Sequence, residues 1–297
     1  MKFGVDAIAR AARLIAGGEP VAVPTETVYG LAADATNGAA VARIYEAKGR
    51  PAFNPLIVHV PDLASAERIA VFNDQARALA FAHWPGPLTL VLPLKPDSGV
   101  AALVTAGLST IAIRVPAHPA IQALLKSVGK PLAAPSANAS GTISPTRATH
   151  VARSLAGRID LVVDGGACAV GLESTIVAVD ADGEMRLLRP GPIDLGLPLV
   201  STAEVTAPGQ LASHYAPAKP LRLSAVAGQS GEWLIGFGAM ACDANLSETG
   251  DLVEAAANLF DALHRADASD RDRIAIAAIT GRGLADAIND RLSRAAH

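Results

Sequence analysis

Apolar and polar positions alternate along the first two hundred residues with two periods intermixed. Residues 6–16 repeat apolar side chains at helical spacing and stop at Gly17-Gly18, a favourable C-terminal signal. Asn37 is placed to cap a helix over residues 39–47 that ends at Gly49. Asn73 is placed to cap another that runs to Ala82. The same spacing predicts helices over residues 119–127 and 149–155. Short apolar runs predict strands at residues 21–23, stopped by Pro24, and at 56–60, 88–94, 110–115, 132–134, 161–163, 175–179 and 185–188. Asp182-Gly183 joins the last two as a hairpin. This order predicts a mixed sheet with helices packed on it, not an alternating barrel.

Breakers then crowd together. Pro190, Gly191, Pro192, Pro198, Pro208, Gly209, Pro217 and Pro220 predict an extended linker over residues 201–220. Beyond it, strands at 221–223, 234–237 and 274–278 alternate with helices at 252–264 and 284–292, a compact parallel α/β unit with few catalytic candidates. The organisation is therefore a large domain (1–200), a linker (201–220) and a small domain (221–297).

Composition narrows the class. Hydrophobic residues make up 51% and charged residues 18%, with a mean hydropathy of +0.32. That excludes a disordered chain. It does not make a membrane protein: 62 alanines inflate the apolar fraction. The longest stretch free of Asp, Glu, Lys and Arg, from Ala78 to Leu94, holds His83 and three prolines. It is short of the ~20 apolar residues of a spanning helix. The start of the chain lacks a leader pattern, and a cytoplasmic protein is expected. Residues 1–200 carry 17 basic and 16 acidic residues, a net of +1; residues 201–297 carry 8 and 12, a net of −4. Neither unit has the strong basic field of a dedicated nucleic-acid binder. Cys168 and Cys242 form no CxxC pair, so no zinc site is predicted.

The motifs of common nucleotide folds and hydrolases (GxxxxGK[ST], strand–GxGxxG–helix, HExxH, GxSxG) are all absent. Four polar clusters instead follow or close apolar strands. Pro24-Thr25-Glu26-Thr27-Val28-Tyr29-Gly30-Leu31 fits a polar turn as well as a binding loop. In Lys48-Gly49-Arg50-Pro51-Ala52-Phe53-Asn54-Pro55, the two cations suit a helix C-terminus. Held by flanking prolines, they also suit a phosphate or carboxylate. His59 beyond them is either a core histidine or a ligand group. Arg114 lies in the apolar strand Thr110–Val115, where it needs a structural ion-pair partner or serves as a carboxylate receptor. The loop Ala134-Pro135-Ser136-Ala137-Asn138-Ala139-Ser140-Gly141 has no bulky side chain and lets a ligand approach its backbone. Ser144-Pro145-Thr146, Glu173-Ser174-Thr175 and Arg189-Pro190-Gly191 are further pieces of the same kind.

Seven segments in this order, PTETVYGL, KGRPAFNPLIVH, STIAIRVP, APSANASG, SPT, LESTIV and LRPG, resemble the threonylcarbamoyl-AMP synthase family with its YrdC-type fold. Ser213-His214-Tyr215-Ala216-Pro217 and the small unit resemble the two-domain form of that family. The resemblance implies a YrdC-like mixed twisted sheet with packed helices, plus a smaller Rossmann-like parallel α/β domain. It implies synthesis of threonylcarbamoyl-AMP and pyrophosphate from L-threonine, bicarbonate or carbon dioxide, and ATP, for tRNA modification next to the anticodon. It places Thr27, His59, Arg114, Ser136 and Ser174 around threonine. Arg50, Asn54, Thr110, Asn138, Thr146, Arg189 and His214 would surround ATP. Lys48 and Arg50 would be the catalytic cations, and His214-Tyr215 part of a lid. It further implies Mg²⁺ with ATP, no prosthetic group, a monomer with at most weak RNA affinity, and a downstream tRNA threonylcarbamoyl transferase complex. Three readings stay open beside it: a double-stranded RNA or ribosome-binding module of this fold without turnover, a degenerate paralogue that binds nucleotide without turnover, and a carbamoyl-adenylating enzyme. The last type carries zinc-finger cysteines that this chain lacks.

Overall fold

The computed structural model describes residues 1–200 and 214–296. In chain order the first unit holds α1 (Val5–Ala16), β1 (Val21–Pro24), β2 (Tyr29–Asp34), α2 (Gly38–Lys48), β3 (Ile57–His59), α3 (Leu63–Ile69) and α4 (Asp74–His83). It continues with β4 (Leu88–Pro93), α5 (Ala102–Thr105), β5 (Thr110–Arg114), α6 (Pro119–Val128), β6 (Leu132–Ala133), α7 (Ala148–Ser154), β7 (Thr175–Val179) and β8 (Met185–Arg189). The second unit holds β9 (Leu221–Arg222), β10 (Glu232–Gly236), β11 (Ala244–Asn245), α8 (Leu252–Asp267), β12 (Arg273–Ile276) and α9 (Leu284–Ala295).

The first sheet has eight strands in the order β1-β2-β6-β3-β5-β4-β7-β8, and only the β3–β5 and β4–β7 pairs are parallel. This is the mixed sheet the apolar runs predict. The second sheet, β11-β10-β12-β9, is parallel throughout. The predicted caps are present. Asn37 accepts the N–H groups of Ala39 and Ala40, Asn73 accepts that of Ala76, and Gly49 closes α2 in the left-handed region. Residues 161–163 differ from expectation. They form no regular strand and meet β1 through a single bridge, Ala22 to Val162. β2, α3, α5 and β11 are additional elements.

Register sets the site. It puts His59 beside Arg114, Thr89 beside Ile176, and Ile176 beside Arg189. Three strand ends thus deliver a histidine and two arginines to one side of a sheet that is otherwise apolar. The units share a core: Val28, Ile143 and Leu172 of the first pack with Tyr215 and with Leu259 and Phe260 of α8. A side chain on Gly171 would meet the α8 backbone at 2.5 Å, so the units touch there without intervening atoms. Of the predicted linker, residues 201–213 lie outside the described residues, and 214–220 run without helix.

Candidate active site

The turn between β1 and β2 is built by its own side chains. Thr25 Oγ1 accepts the N–H groups of Thr27 and Val28 and donates to the Val28 carbonyl at 2.7 Å. This polar turn also presents Thr27 and Glu26 to Arg114. Arg114 donates through Nη1 to Thr27 Oγ1 at 3.0 Å, through Nε to the Gly86 carbonyl at 3.1 Å, and through Nη2 to Glu26. Arg114 is thus both ion-paired and at the wall of the cavity. A free bidentate face for a ligand carboxylate is not what the structure shows: Glu26 already holds one edge. Burial pushes the Glu26 carboxyl up, but Arg114 and the Ala117 N–H outweigh it, and the net direction is down.

Arg114 faces a partly open cavity whose wall also includes Thr25, Thr27, Arg50, His59, Ser136, Glu173, Ser174, Arg189, His214 and Tyr215. Arg50 is buried, with Nε and Nη2 donating to the carbonyls of Asn54 and Pro55. Burial lowers its pKa to about 10, and the guanidinium stays charged at neutral pH. Arg189 grips Ser174 through its carbonyl and hydroxyl at 2.9 and 3.1 Å. Ser174 Oγ lies 2.7 Å from Thr89 Oγ1. Gly191 lets the chain after β8 pass over this point, since a Cβ there would stand 2.4 Å from the Thr175 nitrogen. Burial and then the Arg114 charge hold His59 neutral, with a pKa of about 3. Burial and the cations Arg50, Lys48 and Arg189 push His214 well below the ordinary histidine value.

Five of the residues singled out from sequence do not line the cavity. Lys48 is buried beneath it, with Nζ 2.6 Å from the carbonyls of both Ser136 and Asn138. It tethers the small-residue loop to the end of α2. Asn138 donates to the Ala139 and Thr142 carbonyls, and Thr146 N–H donates to His150 Nδ1. Asn54 is fully buried in the loop after α2, and Thr110 lies at the far end of β5 from Arg114. Among the described residues, both side-chain polar atoms of Asn54 lack hydrogen-bond partners, as do His59 Nδ1, Asn138 Oδ1, Thr146 Oγ1, His214 Nδ1 and Tyr215 OH. Each buried orphan costs roughly 1–3 kcal/mol. His59, His214 and Tyr215 among them line the cavity, where a polar ligand would meet their unpartnered atoms.

Sequence reading passed over Thr89, Glu173 and Arg291 as site residues. Thr89 sits in an apolar strand with no local sign of its role. Glu173 is visible in the ESTI segment, yet its partners, Ser144 Oγ and Arg291 Nε, come from distant chain. Arg291 lies on an ordinary amphipathic helix of the small unit and reaches Glu173 only through the fold. Among the described residues no group of three or more His, Cys, Asp or Glu side chains could hold a metal ion, and no helix is long and apolar enough to cross a membrane.

Fold and site together define a two-unit α/β protein with a partly open cavity lined by three arginines. Known proteins resemble it. A family model described as telomere recombination (Sua5/YciO/YrdC) matches residues 13–191, and one described as the threonylcarbamoyl-AMP synthase C-terminal domain matches residues 174–297. The chain belongs to the Sua5/YciO/YrdC family, in its two-domain form. A Pyrococcus abyssi threonylcarbamoyl-AMP synthase is 39% identical, over 96% of this chain and 92% of that protein. A Bacillus subtilis threonylcarbamoyl-AMP synthase is 48% identical over 73% of this chain and 66% of that protein. The crystal structure of P. abyssi Sua5 complexed with L-threonine superposes with a TM-score of 0.89 at 36% identity, covering 100% of this chain and 96% of that one. Full-length HypF, at 20% identity and a TM-score of 0.55 over 62% of this chain and 29% of its own, shares the fold alone.

Proposed function

We infer that this chain is a threonylcarbamoyl-AMP synthase. The amine of L-threonine adds to carbon dioxide drawn from bicarbonate and loses a proton. The carbamate oxygen so formed then attacks the α-phosphorus of ATP, and the bond to pyrophosphate breaks. The observation that carries this reading is the convergence of Arg50, Arg114 and Arg189 with Thr27, Ser136 and Ser174 on one cavity. Negative charge develops around phosphorus and the leaving group, so fixed, dehydrated cations are the main help a protein gives. Closure of the cavity over bound reactants would also protect a carbamate from water. No covalent nucleophile is needed; positioning and electrostatics suffice.

We assign Thr27, His59, Arg114, Ser136 and Ser174 to threonine. Arg50, Asn54, Thr110, Asn138, Thr146, Arg189 and His214 are assigned to ATP. Arg50 acts directly as a cation. Lys48 acts through the carbonyls of Ser136 and Asn138, holding the loop on which the nucleotide rests. Neutral His59 and His214 offer hydrogen bonds without adding charge. His214-Tyr215 form a lid between a catalytic unit (1–200) and a cap (221–297). Mg²⁺ fits this donor set only as a companion of ATP. Such ions keep several waters and are held by phosphates with one or two carboxylates, and the Glu173 carboxylate is engaged by Arg291 and Ser144. It would supply further charge neutralisation at the phosphates. The protein acts as a cytoplasmic monomer whose product diffuses to a tRNA threonylcarbamoyl transferase complex.

The test is pyrophosphate release from ATP with each standard amino acid, with and without bicarbonate. Release dependent on both L-threonine and bicarbonate is expected. Release that needs neither would sink the assignment, and salt-sensitive duplex RNA binding without turnover would favour the RNA-binding reading.

A further inference from the structure

Helix α9 carries a guanidinium in a place that stability does not explain. Arg291 has no exposed surface. Its Nε donates to Glu173 Oε2 at 2.9 Å and its Nη1 to Asp290 Oδ2 at 2.8 Å. Its guanidinium carbon lies 5.4 Å from the centre of the Tyr215 ring. Nη2 has no hydrogen-bond acceptor among the described residues. A buried ion pair with an unsatisfied donor is a poor way to stabilise a fold. What Glu173 and Tyr215 have in common is the cavity: both line it, and Arg291 does not.

Each partner is held in a place it would not keep alone. Glu173 precedes Ser174, whose carbonyl and hydroxyl grip Arg189. Tyr215 has a φ of 66°, in the left-handed region that a bulky residue avoids unless its surroundings impose it. The backbone on either side is tied down, with His214 N–H donating to the Arg294 carbonyl at 3.2 Å and Ala216 N–H to the Gly141 carbonyl at 2.8 Å. The ring rests between Phe260, 5.7 Å away, and Arg291. Three of these four holds, Arg294, Phe260 and Arg291, come from the small unit.

We propose that Arg291 is a positioning residue for the reaction. From the last helix of the small unit it fixes the Glu173 carboxylate and the Tyr215 ring, and through them the wall and cover of the cavity. A planar guanidinium can meet a carboxylate at its edge and an aromatic ring at its face, which an ammonium cannot do in one orientation. The proposal rests on the function inferred above. It deepens that function by giving the small unit a residue-level part in it.

The full chain is compared with Arg291→Met, Glu173→Gln, their double variant and Arg291→Lys. Arg291→Met alone strands a buried carboxylate, so it loses stability on any account. The double variant removes both charges and is read against Glu173→Gln. The double variant is expected to melt with Glu173→Gln. Yet its His214 and Ala216 amides should exchange with deuterium at least about tenfold faster, while α8 exchanges as before. Its KM for L-threonine should rise at least about tenfold. Arg291→Lys should keep the melting temperature but not the slow exchange. A double variant that matches Glu173→Gln in exchange and KM would show a structural ion pair only and overturn the proposal. So would faster exchange throughout α8, which would mean that the whole unit had undocked. The exchange arm needs no turnover. If the unaltered chain makes no product, the functional reading fails while the placement of Tyr215 by Arg291 is still decided.

Discussion

Lys48 shows how far a residue's chemistry depends on where its chain neighbours go. In sequence it is one of a cationic pair, and a helix C-terminus suits it. In the structure it is buried and its ammonium tethers two carbonyls ninety residues away. Burial, and then Arg50, pushes its pKa well below the ordinary lysine value, and the two carbonyls are what favour its charge. Replacing Lys48 with Ala releases the loop 136–140, and replacing Arg50 with Ala removes a cation from the cavity wall. Each change is expected to lower pyrophosphate release at least about tenfold, the equivalent of ~1.4 kcal/mol in the barrier. Glu26 gives a second test at this scale. Its carboxyl is lowered in the fold from the ordinary 4.5, so its stabilisation is complete above that value and lost as pH falls through the lower, folded one. Glu26→Gln should destabilise the chain at neutral pH by about 3 kcal/mol, because Arg114 then lies buried beside a neutral amide. The gap between variant and unaltered chain in urea melts should close as the solution is acidified. A gap that stays constant with pH would mean the pair is not the cause.

At the level of elements, most boundaries were legible because caps and breakers mark them. Asn37 and Gly49 bracket α2, and Asp182-Gly183 turns β7 into β8 as the dipeptide predicts. β2 was not legible. All six of its residues are buried, so it shows no alternation, and its start is hidden in the PTETVYGL cluster. The opposite error occurred at residues 161–163, an apolar run that looks like a strand but finds only one bridging partner in the sheet. The crossing at Gly191 had a visible glycine and no visible reason. Gly191→Ala should force the chain off Ser174 and Thr175, costing about 1–3 kcal/mol of overpacking. Because Ser174 is what Arg189 grips, the same change should raise KM for threonine as well as lower the melting temperature. A variant with a lower melting temperature and unaltered KM would separate the crossing from the site.

Across the whole molecule, the docking of the small unit and the state of the buried histidines are linked. His150 of α7 stacks on His264 of α8 with ring centres 3.8 Å apart, and His264 Nε2 lies 3.1 Å from the Ser144 carbonyl. Burial and then His150 lower His264 to about 3. With His59 and His214 also depressed, three histidines are neutral in the fold and protonated in the unfolded chain below about 6.5. For His59 and His264 the contribution is full above that value and is lost progressively down to about 3, at no more than ~1.4 kcal/mol per pH unit for each group, and His214 acts in the same direction. The melting temperature should therefore fall as pH drops below about 6.5, and His264→Asn should make that fall shallower. An equal slope in the variant would exclude His264 as a contributor. The lid is tested at this scale too: a chain ending at residue 200 should lose activity or yield more AMP than product. If it matched the full chain in rate and yield, the lid would have no role in protecting the carbamate.

The sequence by itself determined the fold class, the division into a large and a small unit, and nine of the sixteen residues that line the cavity. It could do so because those signals are local: apolar period, caps, breakers, and short polar clusters after strands. What each residue does with its charge was decided only by tertiary structure. Arg114 meets Glu26, Lys48 turns beneath the cavity, and Arg291 crosses from the last helix to Glu173 and Tyr215. A buried charge must find its partner wherever the fold brings one, and no short window of sequence records that meeting.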